Sequence, residues 1–365
     1  MTEKEIWDKA YKRIFELYGD MPDLRIISRF YSEKQAFMQY EVGKYFYDIA
    51  KLRREAEDAG ERLIVKAPLA SCLVSYLLGT TDENPLPAHY YCPKCKTVEW
   101  MNDKCILDLR DRTCACGERM KPDGFDIPFE TYLPYAKKLK TADTVPESYQ
   151  QLFDSILSHF QRSLLDTTNI CKQLEKATGV CMDDIDLNDR EGKHRLLTGD
   201  FEKLASVGSE KVIKQMISLT YPQNYNELLK LIGLAHGTCT WRYNAEQLLS
   251  DGICSLADIP ATRDEVFMTI RDVMRDCDFH DTGFAFDVSN KARREYYLEH
   301  GMDDYTNQTL SMLGLDDWFG SYIRAAHYMS TKALAVLELK YSIILNWYQV
   351  YYPSDYQQIM ADYSS

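Results

Sequence analysis

No stretch of this sequence is both long and apolar enough to cross a bilayer. The most apolar late run, Ala333 to Tyr352, is interrupted by Glu338 and Lys340 and reads as a buried helix. The opening run MTEKEIWDKAYKRIF is charged from its third residue and lacks the apolar core of a secretory signal, so a cytoplasmic protein with no membrane partner is expected. Low-complexity tracts are missing, which excludes a disordered chain, and no repeat of roughly 20 to 50 residues points to a solenoid. GxxxxGK[ST], HExxH and GxSxG are absent too, and with them the starting residues of P-loop, zincin and serine-hydrolase chemistry. Positive charge is scarce: 43 Lys and Arg face 56 Asp and Glu, a net charge of -13. Affinity for phosphate comes from Lys and Arg displacing counterions, so a protein that coats nucleic acid with an all-round basic surface is excluded, and only a local basic face remains open.

What is present supports a globular chain. Its 365 residues, 45% hydrophobic and 12% aromatic, can bury a core in two or three domains of roughly 100 to 150 residues. Helix signals dominate. Thr2-x-x-Glu5 and Ser32-x-x-Gln35 have capping-box form and predict two long opening helices, running to about Tyr18 and Asp58. From Leu63 to Thr81 a short apolar run, Pro68 and the pattern LASCLVSYLLG predict strand, turn and helix. Residues 82–135 are rich in Pro, Gly and Cys with little periodicity, as in a small metal-tied insert. Beyond Pro146 helices are expected at roughly 147–177, 208–219, 224–232, 243–250, 263–276, 290–299, 303–313 and 331–351. Thr262-x-x-Glu265 forms another box and Pro353 ends the last long helix. In that helix Leu334, Leu337, Tyr341, Ile344, Leu345 and Tyr348 recur at helical spacing and form a core stripe.

Eleven cysteines in a chain without an export signal are expected as reduced thiols, so a cluster among them points to metal. Cys92-Pro-Lys-Cys95 and Cys114-Ala-Cys116-Gly117 are two close pairs separated by a loop, the layout of a zinc ribbon. Each pair turns its sulfurs inward, and together they supply the four thiolates of a closed tetrahedral site that folds the insert and leaves no position for a reacting water. The second pair is CxC where CxxC is more usual, and Cys105 is a spare candidate between the pairs. His280-Asp281 lacks the further partners of a metal phosphohydrolase. The basic run Lys291, Arg293 and Arg294 reads as a solvated helix face with phosphate contact as its alternative.

Several longer runs carry a resemblance. Asn84-Pro-Leu-Pro-Ala-His-Tyr-Tyr-Cys-Pro-Lys-Cys95, followed by Asp123-Gly-Phe-Asp-Ile-Pro-Phe-Glu-Thr-Tyr132, resembles the zinc-bearing palm insertion of the PolC-type DNA polymerase III α subunit. Leu231-Ile-Gly-Leu-Ala-His-Gly-Thr-Cys-Thr-Trp241, with Asn244 to Leu249 and Asp251 to Leu256, is similar to that family's fingers domain. Glu299 to Asp303, Tyr328 to Ala333 and Tyr348 to Pro353 resemble its distal fingers helices. The family's exonuclease, histidinol-phosphatase-like and OB-fold regions find no counterpart.

The resemblance implies an α+β, predominantly helical fold: a palm-like remnant with N-terminal helices over 1–81, a zinc-ribbon insertion over 82–135 and a fingers-like helical domain over 136–365. It also implies nucleotidyl transfer, which needs two metal ions on palm carboxylates and basic groups around a triphosphate. Here the departures begin. The family's glycine-rich phosphate loop falls on Ile64 to Cys72, where its three glycines and its arginine are replaced; Pro68 offers no N–H and Lys66 keeps only a point charge. The paired-aspartate motif is missing from Leu133 to Thr141, the thumb with it, and the third aspartate's position falls near Phe160. Asp183-Asp-Ile-Asp-Leu-Asn-Asp189 reads as a solvated loop.

Lys211 and Lys214 fall where the family carries triphosphate-facing arginines, Lys332 matches a family lysine, and His236 lies at the nucleotide-pocket position, with a satisfied helix-junction histidine as its other reading. The expectation is a catalytically inactive relative that binds DNA or replication proteins as a scaffold, with structural zinc as its cofactor. The alternatives are a polymerase using magnesium in a site rebuilt from Asp154, Asp166 or Asp184, and a module that binds protein alone.

Overall fold

The computed structural model describes residues 2–62, 67–101, 104–134, 136, 148, 151, 162–205, 210–278, 282–292, 295–315 and 317–364, in two compact units, 1–165 and 166–365. The expected strand at Leu63 and the stretch around Phe160 lie outside the described residues. The fold is predominantly helical with one small antiparallel sheet.

In the first unit three long helices precede the sheet: α1 (Glu3–Tyr18), α2 (Leu24–Phe37) and α3 (Val42–Asp58). The Thr2 box closes α1 as expected, with Glu5 N donating to the Thr2 hydroxyl and Thr2 N donating to the Glu5 carboxylate. Ser32-x-x-Gln35 is no cap. It sits inside α2, whose cap is Asp23, and the single helix expected to reach Asp58 breaks at Met38–Glu41, where Glu41 takes a left-handed φ of 52°. Ile6, Trp7, Ala10, Ile14 and Tyr18 line the buried face of α1. They join Phe30, Phe37, Phe46 and Tyr132 in one core, where Phe37 meets Phe46, Phe129 and Tyr132 edge-on. Each such side chain contributes about 1.5–3 kcal/mol by leaving water.

A short helix, α4 (Leu73–Leu78), closes this core, and its head is held from a neighbouring element. Cys72, at its cap position, makes no side-chain bond. Glu33 of α2 substitutes: Leu73 N donates to Glu33 Oε1 at 2.8 Å and Val74 N to Oε2 at 3.0 Å. Glu33 is 0% exposed. Arg29, one turn earlier, donates to the same carboxylate at 2.6 Å and to the carbonyls of Ser71 and Ile127 at 2.8 and 2.9 Å, with its guanidinium over the Phe129 ring. The sheet has order β2-β1-β3, with β1 His89–Tyr91, β2 Val98–Trp100 and β3 Lys121–Asp123. His89 pairs with Trp100 on one side and Asp123 on the other.

The second unit is built of helices, with one isolated antiparallel bridge between Thr238 and Tyr328 among its described residues: α5 (Arg162–Thr178), which begins four residues before the unit's boundary, α6 (Arg190–Thr198), α7 (Glu210–Thr220), α8 (Tyr225–His236), α9 (Glu246–Ser250), α10 (Arg263–Asp276), α11 (Gly283–Lys291), α12 (Tyr296–His300), α13 (Asp304–Met312), α14 (Asp317–Ala325), α15 (Lys332–Tyr351) and α16 (Pro353–Ser364). Its axis is α15, where the expected stripe is buried throughout. The opposite face is buried as well, so Ser342 and Asn346 must find partners: the Ser342 hydroxyl accepts from Ala205 N, and Asn346 Nδ2 donates to Gly192 O. Thr262 and Glu265 form the expected box on α10. Pro353 both ends α15 and opens α16, because a proline lacks the N–H that a first helical position leaves unused. The helix expected at 290–299 is two pieces, α11 and α12, separated where Glu295 adopts a φ of 54°. The helix expected from 243 begins at Glu246, after a wide turn in which Tyr243 has a φ of 59°.

Removing the buried carboxylate while keeping its cation isolates the role of Glu33. Glu33→Ala leaves Arg29 uncompensated and two amides open, and should cost about 3–5 kcal/mol in urea unfolding, whereas exposed Glu16→Ala should change stability by less than about 0.5 kcal/mol.

Candidate metal centre and the buried groups around it

The four cysteines of the two close pairs converge. Cys92 follows β1 directly. The turn after it brings Cys95 back, with Lys96 N on Cys92 O at 3.0 Å, Lys96 at a φ of 63°, and Cys95 N directed at Cys92 Sγ at 3.4 Å. Cys114 and Cys116 sit on a second turn closed by Gly117 N on Cys114 O and by Cys114 N on Glu118 O. Cys92 Sγ then lies 3.5 Å from Cys116 Sγ and Cys95 Sγ 3.4 Å from Cys114 Sγ, with all four sulfurs within 4.8 Å of one another. Four sulfurs at roughly 2.3 Å from one ion stand about 3.8 Å apart, so the cluster has the size to hold a metal ion. Cys92 and Cys114 are buried and the other two exposed; Cys105 is buried but outside the group. Hydrogen bonds from Thr97 hold the Cys95 thiol down at about 6. Cys114 is lowered by the Cys116 backbone but raised by its contact with Cys95 and by burial, and ends at about 12. One sulfur of this facing pair therefore ionises easily while the other retains its proton, which a cation would displace.

The ribbon is fastened to the helices by a buried hydrogen-bond knot. Asn84 Nδ2 donates to Asp123 Oδ2 at 2.7 Å and to Tyr18 OH at 3.0 Å, and Tyr76 OH donates to the same Asp123 oxygen at 3.0 Å. Tyr18 OH lies 3.2 Å from His89 Nε2, while His89 Nδ1 lies 2.8 Å from Pro87 O, which only accepts. The ring proton therefore sits on Nδ1 and the tyrosine donates to Nε2. Gly124 is required here: its φ is +96°, and a Cβ would fall 2.3 Å from Pro87 O. Burial pushes the Tyr18 and Tyr76 hydroxyls above their usual range and the His89 imidazole below its own. The sequence offered no spacing signal for this knot, since its residues come from α1, α4, β1, β3 and the loop before β1.

The residues expected to meet nucleotide or DNA are placed differently from one another. Lys66 lies outside the described residues, as do Asp154, His280, Asp281, Arg293 and Arg294. Lys211 is exposed on α7, and Lys214 on the same helix holds its Nζ 4.9 Å over the Phe201 ring. Both flank an open surface recess of ≈690 Å³ whose lining among the described residues comes from α7. His236 and Lys332 are inside. His236 Nδ1 stands 3.4 Å from Glu338 Oε1, with side chains 6% and 0% exposed. Lys332 opens α15 with its backbone N on Asp264 Oδ2 at 2.7 Å. Lys291 is engaged by Asp287 at 2.6 Å. In the acidic stretch 183–189, Asp183, Asp184 and Asp186 face solvent, while Asp189 caps α6 through Gly192 N and accepts from Tyr351 OH. Among the described residues the four cysteines are the one group of three or more Cys, His, Asp or Glu drawn together as metal ligands would be. Among the described residues no helix is long and apolar enough to cross a membrane.

No family model matches this chain. Among curated proteins it is 23% identical to the DNA polymerase III PolC-type of Caldanaerobacter subterraneus subsp. tengcongensis, over a span covering 96% of this chain and 33% of that protein. It is 22% identical to the DNA polymerase III PolC-type of Staphylococcus aureus strain MW2, over 97% of this chain and 33% of that protein. The chain thus spans about a third of the length of the curated relatives it matches. The first alignment runs to 475 residues against the 365 present, so at least 110 of its positions have no counterpart here.

Two outcomes follow from the site. Cys92→Ser, or a strong chelator, should reduce bound metal from one ion per chain to none by elemental analysis and lower the unfolding temperature. Because His89 is kept neutral when folded while the unfolded ring takes a proton near about 6.5, stability should be full above roughly pH 6.5 and fall as the pH drops below it. Thermal unfolding of metal-loaded wild type and His89→Gln across that range should show a shallower acid slope in the variant.

Proposed function

We propose, from the chain's kinship with PolC-type DNA polymerase III over nearly its whole length, that it is a non-catalytic polymerase-like protein that binds DNA or a replication partner. In this reading residues 1–81 are the palm-like remnant, 82–135 the ribbon and 136–365 the fingers-like domain. The ribbon's four thiolates hold structural zinc: soft sulfur donors in a closed set of four suit that ion and leave it no open position for chemistry.

The observation that carries the loss of catalysis is Glu33. The segment that resembles the family's phosphate loop ends at the head of α4, and the amides of Leu73 and Val74 there are already taken by a buried carboxylate. A triphosphate arriving at that point would meet like charge in place of free N–H donors. The burial of His236 against Glu338 and of Lys332 at the head of α15 supports structural roles for both, so that among the described candidates exposed Lys211 and half-buried Lys214 on α7 are the phosphate-facing groups of this reading.

Incubation with primed template, magnesium and all four nucleotides should give no extension, and robust synthesis would overturn the reading. Duplex or single-stranded DNA should bind at low salt and weaken steeply as salt rises, with Lys211→Ala and Lys214→Ala together flattening the salt dependence by up to about two contacts.

A further inference from the structure

We infer that the outward face of α7 binds single-stranded nucleic acid, with Tyr221 as a stacking platform for a base next to the phosphate-facing Lys211 and Lys214. Tyr221 directly follows α7, and its N–H donates to Ile217 O at 2.8 Å, the bond that closes a helix whose next residue is left-handed. Its φ is 49°. Glycine is the ordinary residue at such a position, because a side chain there is strained, and a bulky ring is a clear outlier. Pro222 follows directly, and Gln223 Nε2 donates to Tyr221 O at 2.6 Å, which fixes the conformation on its other side. Packing gives little in return, since Tyr221 is 72% exposed. A ring held in water by a strained backbone is a group presented outward, and outliers of this kind gather at binding sites.

The neighbouring groups choose the ligand. Lys211, Lys214, Ser218 and Tyr221 follow one another at i, i+3, i+7 and i+10, one row along the helix. The open recess beside them carries, among the described residues, the ammonium groups of Lys211 and Lys214 against the one carboxylate of Glu210, and it ends at Leu219, itself 41% exposed. The Phe201 ring keeps Lys214 Nζ in place from 4.9 Å away. Ten residues of helix separate Lys211 from Tyr221, about 15 Å along the axis, which suits a strand of several nucleotides better than a single one. Cations for a phosphate backbone, followed by an exposed aromatic for a base, form the pattern of single-strand binding. A duplex keeps its bases stacked on one another and offers the ring no face, and an acidic peptide would use the lysines without needing the ring.

This deepens the DNA-binding half of the proposed function and rests on that reading for the role of the two lysines. Primer extension and the salt dependence of duplex binding bear on that reading, and the effect of Tyr221 on single strands bears on this one, so the two fail separately.

The probe is a short fluorescent oligothymidylate, titrated into the full chain by anisotropy at several low salt concentrations, with an oligouridylate, an abasic strand and a duplex of the same length run beside it. Tyr221→Ala should weaken single-strand binding roughly five- to a hundredfold and leave its slope against salt unchanged, because stacking is lost and no phosphate contact with it. Tyr221→Phe should bind as wild type does, and so should Tyr305→Ala, at a tyrosine 70% exposed on α13. The abasic strand and the duplex should bind wild type and Tyr221→Ala alike. Tyr221→Gly should weaken single-strand binding as far as the alanine does and yet raise the urea midpoint of unfolding, since glycine takes a φ of 49° without strain. Preference for thymidylate or for uridylate assigns the strand to DNA or to RNA, and either fulfils the proposal. It is overturned if Tyr221→Ala holds the single strand as tightly as wild type, if Tyr305→Ala weakens it equally, or if polyglutamate displaces the strand as readily as unlabelled oligothymidylate does. A duplex salt dependence still flattened by Lys211→Ala with Lys214→Ala would, in that event, leave the proposed function standing without its platform.

Discussion

Glu33 is a carboxylate with no exposure to water, and such a group is tolerated only when its oxygens are hydrogen-bonded and a cation stands beside it. Both conditions are met by fixed pieces of the fold. The amides come from the first turn of α4, and the cation from Arg29, whose other donors reach Ser71 O before α4 and Ile127 O after the sheet. One ion pair thereby sets where α2, the 67–72 segment, α4 and the chain leaving β3 meet. Its two ends cannot be moved independently, because releasing either leaves a charge in the core. The same geometry decides what the head of α4 can bind. Amides that would serve an external anion are committed to an internal one.

The ribbon depends on a second buried polar centre of a different kind. The Asn84, Asp123, Tyr18, Tyr76 and His89 knot closes without a full ion pair: Asp123 takes donors from an amide, a phenol and the Gly124 backbone, and the imidazole stays neutral. Asn84, His89 and Asp123 belong to the runs Asn84 to Cys95 and Asp123 to Tyr132, two of those on which the resemblance to PolC-type polymerases rests. The specificity of those runs is accordingly that of a docking device. They record how a cysteine ribbon is attached to a helical core, with Pro87 and Gly124 in van der Waals proximity that a side chain would forbid, and they are silent about catalysis. A chain can keep this attachment while its phosphate loop and carboxylates change.

The parts of the fold legible in the sequence were those governed by short-range rules. Thr2 with Glu5 and Thr262 with Glu265 cap helices because a box needs only four residues, and the two cysteine pairs converge because each turn is local. Ser32 with Gln35 shows the limit. The pattern is the same, but α2 had already begun at Leu24, and continuation of a packed amphipathic helix outweighs a cap. The breaks at Glu41, Tyr243 and Glu295 were invisible for a related reason: each is a non-glycine residue at positive φ, a conformation that tertiary packing imposes and that propensity argues against. Long-range pairings left no trace. Glu33 lies 40 residues from Leu73, and Glu338 about a hundred residues beyond His236, so neither partner was identifiable from spacing. For His236 the helix-junction reading stood beside the pocket reading, but its partner Glu338 did not, and for Lys332 burial was not foreseen.

In a chain of net charge -13 a basic field can only be local. Lys211 and Lys214 lie on α7, where the Lys214 Nζ stands over the Phe201 ring. Solvent-facing carboxylates lie elsewhere, as at Asp183, Asp184 and Asp186 before α6. At physiological salt the Debye length is about 8 Å, so each field acts only on what touches it. Net charge of -13 therefore sets the protein's bulk behaviour without fixing what either surface binds. What it does fix is sign: a phosphate-bearing partner can approach only where lysines are locally concentrated.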